Sequence, residues 1–327
     1  MQFRKVGRIQ EELSVVGYGC WSSAGYNWTG GDVNESERAI HAAIDMGVNY
    51  FDVAPIYGFG ESERVLGRAI KGRRDKVFLG TKLGLRWVKP DSAGIRCLSR
   101  ESIMDEIDQS LQRLDVDYVD LIQMHWPDHN TDIHETMEAL RDVVKAGKAR
   151  YVGASNFSPE MLDACDKIFP IASHQVLYNM FDRNSTSYCG IPLEYRTEEQ
   201  VLPQCEAKGM ACLPYSPLCQ GVLSGRYYRG RDKDLTPSDM RLTNPAVCGD
   251  ELDKKLDVVD RLKLVADESG LTLLELAMGW LISKPAITSI ICGSRTVAQA
   301  ESSARCGDIQ LPADVLRQVN AILDGAE

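Results

Sequence analysis

An α/β fold, with eight parallel strands closed into a TIM-type (β/α)8 barrel, is predicted by three features of this chain. Eight short runs rich in β-branched and aliphatic residues alternate with segments of helical period. The runs are apolar on both faces, as strands lying between a barrel interior and a layer of helices must be. The glycine pattern of an open dinucleotide-binding sheet is incomplete, because Gly17-Tyr18-Gly19-Cys20-Trp21-Ser22 lacks the third glycine. The strand count then favours closure over an open sheet.

The elements follow in order. Residues 1–15 alternate and turn at Gly7, which reads as a hairpin ahead of the main body. Residues 16–21 form the first strand. Asn34 with Glu37 makes a capping-box pattern that opens a helix whose Ile40, Ala43 and Ile44 share a face before Gly47. Residues 49–53 are the second strand, and Ser62 starts a helix carrying Val65, Leu66, Ala69 and Ile70. The third strand, 76–81, delivers Lys82 at its end. Ser99 caps a helix with Ile103, Ile107, Leu111 and Leu114, and the fourth strand, 119–124, ends in His125. Thr131 opens the next helix, through Ile133, Met137, Leu140 and Val144. The fifth strand, 150–154, ends at Ser155 and Asn156, and Ser158-Pro159 supplies an N-cap and first helical position. Residues 173–177 form the sixth strand, with Gln175 inside it; Thr197 with Gln200 caps the sixth helix. The seventh strand, 210–214, runs into Tyr215-Ser216-Pro217-Leu218. Helical segments at 254–269 and 272–283 precede the eighth strand, 288–292, and a helix opening at Thr296.

With 327 residues, of which 44% are apolar, the chain is long enough for one barrel over 1–327, with 87–98, 182–196 and 226–254 as substrate-side loops. The net charge of −10 opposes non-specific binding to nucleic acid or anionic membrane. No run approaches a spanning helix, and residues 1–17 are charged and amphipathic, unlike a signal peptide, so a cytoplasmic location is expected. The ten cysteines form no C-x-x-C pair, and Cys205, Cys212 and Cys219 fall on a helix, a strand and a loop. Buried thiols are therefore expected rather than a metal site, and the five histidines show no H-E-x-x-H spacing.

In a parallel barrel all strand C-termini share one rim, so Asp52, Tyr57, Lys82 and His125 converge. Taken alone, 49–63 reads as a core tyrosine beside a turn-capping aspartate; convergence favours chemistry. A phenol with pKa about 10 needs a cation to stabilise its anion near neutrality. Lys82 is that cation, Asp52 holds it, and His125 faces a substrate oxygen. The set suits protonation of a developing alkoxide, and since no side chain donates hydride, a hydride-carrying cofactor is required. Ser155, Asn156 and Gln175 offer amide and hydroxyl groups for a carboxamide, and Tyr215 offers a stacking face. Gly293-Ser294-Arg295 precedes a helix start, an anion site in this fold; a solvated surface arginine is the competing reading of that stretch.

Six motifs in this order resemble the aldo-keto reductase family, over almost the whole chain from Phe3 to about Leu323. They are Asn49-Tyr50-Phe51-Asp52 with Tyr57-Gly58-Phe59-Gly60-Glu61, Gly80-Thr81-Lys82, His125-Trp126-Pro127-Asp128, Gly153-Ala154-Ser155-Asn156-Phe157, Tyr215-Ser216-Pro217-Leu218 and Gly293-Ser294-Arg295-Thr296. The resemblance implies a barrel closed at its bottom by the N-terminal hairpin, with NADP(H), or alternatively NAD(H), extended across the top. It implies Tyr57 as general acid or base, Lys82 and Asp52 as its tuning pair, and His125 as orienter of the carbonyl. Trp21 lines the pocket beside Asp52, while Ser155, Asn156 and Gln175 hold the nicotinamide amide and Tyr215 stacks on the ring. Ser216, Pro217, Leu218, Gly221 and Leu223 wrap the pyrophosphate, and Gly293, Ser294, Arg295 and Gln299 meet the adenosine phosphate.

Two positions depart from the pattern. Ser303 stands where similar sequences usually carry an asparagine that contacts adenine, and Cys219 replaces a common small residue. Residues 182–196 exceed the usual connection and read as a substrate lid or a surface insertion. Trp87, Tyr188, Tyr227 and Tyr228 offer an aromatic pocket or lid, with a surface role beside it.

The expected function is an NADP(H)-dependent oxidoreductase acting on a small aldehyde, ketone or sugar-like carbonyl, or the corresponding alcohol. No metal, nucleic-acid or membrane partner is expected. An NADP(H)-binding regulatory or redox-sensing subunit with little turnover competes with it, and a barrel isomerase or aldolase with a Lys82 Schiff base stands third.

Overall fold

A computed structural model describes residues 1–25, 28, 32–89 and 94–325. Antiparallel strands β1 (Phe3–Val6) and β2 (Ile9–Ser14) form the N-terminal hairpin. The chain then lays down β3 (Val16–Gly19), β4 (Tyr50–Asp52) and β5 (Phe78–Leu83), a small hairpin of β6 (Leu85–Arg86) and β7 (Ile95–Arg96), then β8 (Val119–Met124), β9 (Ala149–Ser155) and β10 (Ser173–Leu177). A second small hairpin, β11 (Ser187–Tyr188) and β12 (Ile191–Pro192), precedes β13 (Ala211–Tyr215) and β14 (Ile290–Gly293). With the hairpins set aside, the remaining eight strands close into one parallel barrel in chain order. Fully buried strands have no water to satisfy their backbone groups, and closure pairs every strand on both sides.

Helices α1 (Val33–Asp45), α2 (Glu61–Ile70), α3 (Arg100–Leu114), α4 (Ile133–Lys145), α5 (Pro159–Ile168) and α6 (Leu202–Lys208) return the chain between strands. They are followed by α7 (Gly249–Glu268), α8 (Leu273–Ile282), α9 (Val297–Arg305) and α10 (Ala313–Asp324). Ser99, Ser158, Thr272 and Thr296 cap their helices, each side chain accepting from a backbone N–H of the first turn.

Other starts differ from expectation. Asp32 rather than Asn34 caps α1, and Asp132 rather than Thr131 caps α4, because the Thr131 hydroxyl donates to Asp128 at 2.6 Å. Gly60, at φ 89°, ends the turn before α2, leaving Ser62 buried inside the helix. Thr197 donates its hydroxyl to the Leu177 carbonyl, so it does not cap; Gln200 Oε1 accepts from the Arg196 N–H, and a wide turn leads into α6. Helix α7 begins at Gly249, absorbing the end of the 226–254 loop. The third strand is displaced because Arg74–Lys76 forms a 3-10 turn, so β5 runs on to Leu83 and Lys82 lies within it. Helix α10, not anticipated, buries Val315, Val319 and Leu323 and lies beside α7.

The hairpin closes the N-terminal end of the barrel. Ile9 and Leu13 are buried with Tyr50, Phe78, Leu121 and Leu213 in the lower interior. Arg8 donates from its backbone to Gly209 O and from its guanidinium to the carbonyls of Lys208 and Ile171. All ten cysteines are free thiols, and the described residues contain no His, Cys, Asp and Glu cluster suited to a metal ion. Among them no helix is long and apolar enough to cross a membrane.

Candidate active site

The C-terminal rim is built by strand phase. Alternate residues of a strand face the same side, so Tyr50 shares the barrel interior with Asp52, Gly80 with Lys82, Leu121 with Gln123, and Ser173 with Gln175. Tyr57 stands on the turn after β4, where Gly58 at φ 59° and Gly60 reverse the chain. A side chain at Gly58 would meet Ala24 Cβ at 2.3 Å, so the turn presses against the loop after β3.

Lys82 Nζ lies 2.5 Å from Asp52 Oδ1, 3.1 Å from the Val53 carbonyl and 3.3 Å from the Tyr57 hydroxyl. Asp52 Oδ2 accepts from the Tyr50 hydroxyl at 3.1 Å, Gln123 Nε2 at 3.3 Å and Gln175 Nε2 at 2.7 Å. The Tyr57 ring meets His125 edge-on at 5.8 Å and Trp21 at 6.1 Å between centroids. Asp52, Lys82 and His125 are buried.

This environment sets the protons. Burial, then the Asp52 charge, pushes the Tyr57 phenol well above its ordinary value, so the net shift is upward and not the lowering expected from Lys82 alone. Burial lowers Lys82, and Asp52 opposes that shift. Burial and then the Lys82 charge push His125 well below its ordinary value, so its imidazole is neutral near pH 7. A protonated phenol beside a cation and a neutral imidazole is a proton donor with a hydrogen-bonding neighbour.

A cavity of about 1020 Å³ extends from this rim over the barrel top. Asp52, Tyr57, Trp21, His125, Ser155, Asn156, Gln175 and Tyr215 line one end. Asn156, at φ 64°, turns its amide inward: Oδ1 accepts from the Tyr195 and Tyr215 hydroxyls, and Nδ2 donates to the His125 carbonyl and Ser155 Oγ. Its hydrogen-bonding capacity is thereby filled, and a bound carboxamide would have to displace one of these partners. Gln175 differs, because a carboxylate only accepts, so its Nε2 is committed to Asp52 and its carbonyl oxygen is the acceptor left for a ligand.

Ser216, Pro217, Leu218 and Gly221 line the middle of the cavity, whereas Leu223 is turned into the core. Gly293, Arg295, Gln299 and Ser303 line the far end. Ser294 is buried behind that wall; its carbonyl accepts from the Tyr18 hydroxyl, and its own hydroxyl has no partner among the described residues. Gln299 Oε1 accepts from the Arg295 N–H, and Ser303 Oγ meets Cys292 Sγ at 3.4 Å. The Arg295 and Arg241 guanidiniums lie 6.0 and 5.4 Å from the Trp28 ring centroid. Arg241 is itself paired with buried Asp239 at 2.7 Å, and burial, then the Arg241 charge, lower the Arg295 pKa, with Asp239 opposing. One cavity thus joins the Tyr57 end to the Arg295 end, and this donor set fits a nicotinamide dinucleotide.

The loops divide between wall and surface. Tyr188, Cys189 and Ile191 of the 182–196 segment line the cavity, and Tyr188 lies edge-on to Tyr215 at 5.2 Å. Gln220 Nε2 donates to the Tyr188 hydroxyl, and its Oε1 accepts from Asn244 Nδ2, tying this hairpin to the 226–254 loop. Tyr227 lines the cavity, Trp87 backs Phe59 at 5.8 Å, and Tyr228 is exposed. Residues 90–93 of the 87–98 loop lie outside the described residues. Sequence reasoning missed Tyr50, Gln123, Gln220, Arg241 and Trp28. For Gln123 a signal existed, a lone amide inside the apolar run 119–124 and two residues before His125.

Residues 15–324 match the model of the Aldo/keto reductase family. The chain belongs to that family. This aldo-keto reductase is 34% identical to the Aldo-keto reductase YhdN of Bacillus subtilis (strain 168), over 99% of this chain and 94% of that protein. It is 33% identical to a probable voltage-gated potassium channel subunit beta of Arabidopsis thaliana, over 94% of this chain and 92% of that protein. Its fold matches the glycerol dehydrogenase AKR11B4 from Gluconobacter oxydans with a TM-score of 0.87 and 31% identity, over 99% of this chain and 95% of that one. It is accordingly an oxidoreductase of carbonyls and alcohols, in a family that uses nicotinamide cofactors and small carbonyl substrates.

Proposed function

We propose that this aldo-keto reductase reduces a small, neutral carbonyl compound with an apolar body, or oxidises the matching alcohol, using NADP(H) and Tyr57 as general acid and base. When bound, the nicotinamide supplies or takes up the hydride. Tyr57 passes its phenolic proton to the carbonyl oxygen as charge develops there, and Lys82, 3.3 Å from the phenol oxygen, stabilises the charge left behind. Asp52 keeps Lys82 in place. Neutral His125 hydrogen-bonds the substrate oxygen, and in oxidation Tyr57 takes the proton back. The observation that carries the reading is the single buried ammonium that contacts both Asp52 and Tyr57.

Gln175 Oε1 accepts from the carboxamide, Tyr215 supplies the stacking face, and Arg295 with Arg241 reads the extra phosphate that distinguishes NADP(H) from NAD(H). Around Tyr57 the wall is Trp21, Ile56, Phe59, Trp126, Tyr188 and Ile191, which favours an aromatic or aliphatic body over a polyol.

NADPH consumption by the wild type and Tyr57→Phe, with one unhindered aldehyde, tests this. Turnover in the wild type and its loss in the variant is the expected result; equal turnover removes Tyr57 from the mechanism. The competing reading, an NADP(H)-sensing subunit, draws on the plant relative named as a channel subunit. Its signature in the same assay is tight NADPH binding without turnover. A Schiff base at Lys82 is disfavoured because the ammonium is wholly buried behind the cavity wall.

A further inference from the structure

Barrel interiors are ordinarily filled by branched aliphatic side chains, and an amide buried there is costly unless fully bonded. Beneath Asp52 this barrel instead holds a polar layer of Tyr50, Gln123 and Ser173, all buried. Gln123 is fixed in direction, since its Oε1 accepts from Ser173 Oγ at 3.3 Å and its Nε2 donates to Asp52 Oδ2 at 3.3 Å. The Tyr50 hydroxyl donates to the same oxygen at 3.1 Å.

Three strand glycines make room for this layer. A Cβ at Gly17 would stand 2.7 Å from Tyr50 Cδ1, and one at Gly80 would stand 3.1 Å from Tyr50 Cε2. At Gly153 it would stand 2.1 Å from Ser173 Oγ and 3.1 Å from Gln123 Cγ. Three separate strands thus omit side chains where the polar layer sits. Neither Tyr50 nor Gln123 reaches the cavity wall.

We propose that Tyr50 and Gln123 are positioning residues for proton transfer, acting through Asp52 and Lys82; the inference rests on Tyr57 being the acid/base. A carboxylate free to turn can offer either oxygen to an ammonium. With Oδ2 held by the neutral donors Tyr50, Gln123 and Gln175, Asp52 presents Oδ1 to Lys82. Displacement of Asp52 passes directly to Lys82 Nζ and to its contact with the Tyr57 oxygen. Proton transfer depends steeply on that geometry, whereas Tyr50 and Gln123 themselves lie off the cavity wall and touch neither substrate nor cofactor.

The test uses the full chain carrying Tyr50→Phe, which keeps the ring and removes one hydroxyl, and Gln123→Met, which keeps the volume. Single-turnover NADPH oxidation with a reactive aldehyde is followed in H₂O and D₂O, beside NADPH affinity by fluorescence. Each variant is expected to slow the single turnover about 10- to 100-fold, the size of one hydrogen bond to a charged group. NADPH Kd and aldehyde KM stay unchanged, and the solvent isotope effect rises above the wild-type value because proton transfer becomes more limiting. A Tyr50→Phe protein with the wild-type rate and isotope effect overturns the inference. So does a rate loss matched by weaker NADPH binding with an unchanged isotope effect, which marks general loosening. Tyr57→Phe is run in parallel: if it turns over normally, the acid/base assignment fails, and if it is inactive while Tyr50→Phe is wild-type, only the positioning role fails.

Discussion

Lys82 Nζ stands 2.5 Å from Asp52 Oδ1, and both groups are shut away from solvent on neighbouring barrel strands. A buried pair of this kind separates two consequences of mutation. Lys82→Met strands the Asp52 charge, and is expected to destabilise the fold by about 3–5 kcal/mol while cutting the single-turnover rate ~100-fold or more. Tyr57→Phe removes only a hydroxyl at the cavity edge, so the same rate loss is expected with thermal stability and NADPH affinity retained. Thermal melts beside single-turnover traces check both; a Lys82→Met protein as stable as wild type would contradict the burial argument.

At the far end of the cavity, Arg295 and Arg241 face one indole from the barrel rim and from the 226–254 loop. Arg295→Ala is expected to raise the NADPH Kd about 10- to 100-fold, the loss of charge-assisted bonds to a phosphate, and to leave NADH affinity nearly unchanged. Fluorescence titration with both cofactors reads this. Equal weakening of the two means that Arg295 does not read the distinguishing phosphate.

His125 gives a pH dependence with a defined sign. Burial and the Lys82 charge lower its pKa in the folded state, so as pH falls below about 6.5 the unfolded chain binds a proton that the folded chain refuses. Unfolding then takes up protons and stability falls on acidification. His125→Gln should lose less stability than wild type between pH 7.5 and 5.5 in urea titrations. An identical slope in the two proteins removes His125 as a source.

Tyr188 closes the substrate side of the cavity from a hairpin held by Gln220. Tyr188→Ala is expected to raise kcat/KM for a naphthaldehyde relative to propanal about tenfold, through lost steric exclusion. Competition assays with the two aldehydes measure the ratio. No change would place the substrate away from this wall.

Far from the rim, Gly67 lets α2 lie against the end of α3. A Cβ there would stand 2.5 Å from the Leu114 carbonyl oxygen, a backbone atom with little freedom to move. Gly67→Ala is expected to cost about 1–3 kcal/mol of stability while leaving kcat per folded molecule unchanged. Chemical denaturation and an activity assay at low temperature separate the two effects.

The barrel, its strand order and the meeting of Asp52, Tyr57, Lys82 and His125 on one rim were legible in the order of residues alone. These follow from short-range period and from parallel topology, which sends every strand C-terminus to the same end. The helix starts at Ser99, Ser158 and Thr296 were legible for the same reason, since a cap bonds residues only a few positions away. The remainder required the folded chain. Lys82 faces inward beside Gln123 because of the register between β5 and β8, which neither strand encodes alone. Tyr50 lies under Asp52 because glycines on other strands leave space for its ring. Arg241 meets Arg295, and Leu223 turns into the core, through loop paths set by contacts between residues distant in the chain. The upward shift of Tyr57 has the same origin, because the burial and the Asp52 charge that cause it exist only once the barrel has closed.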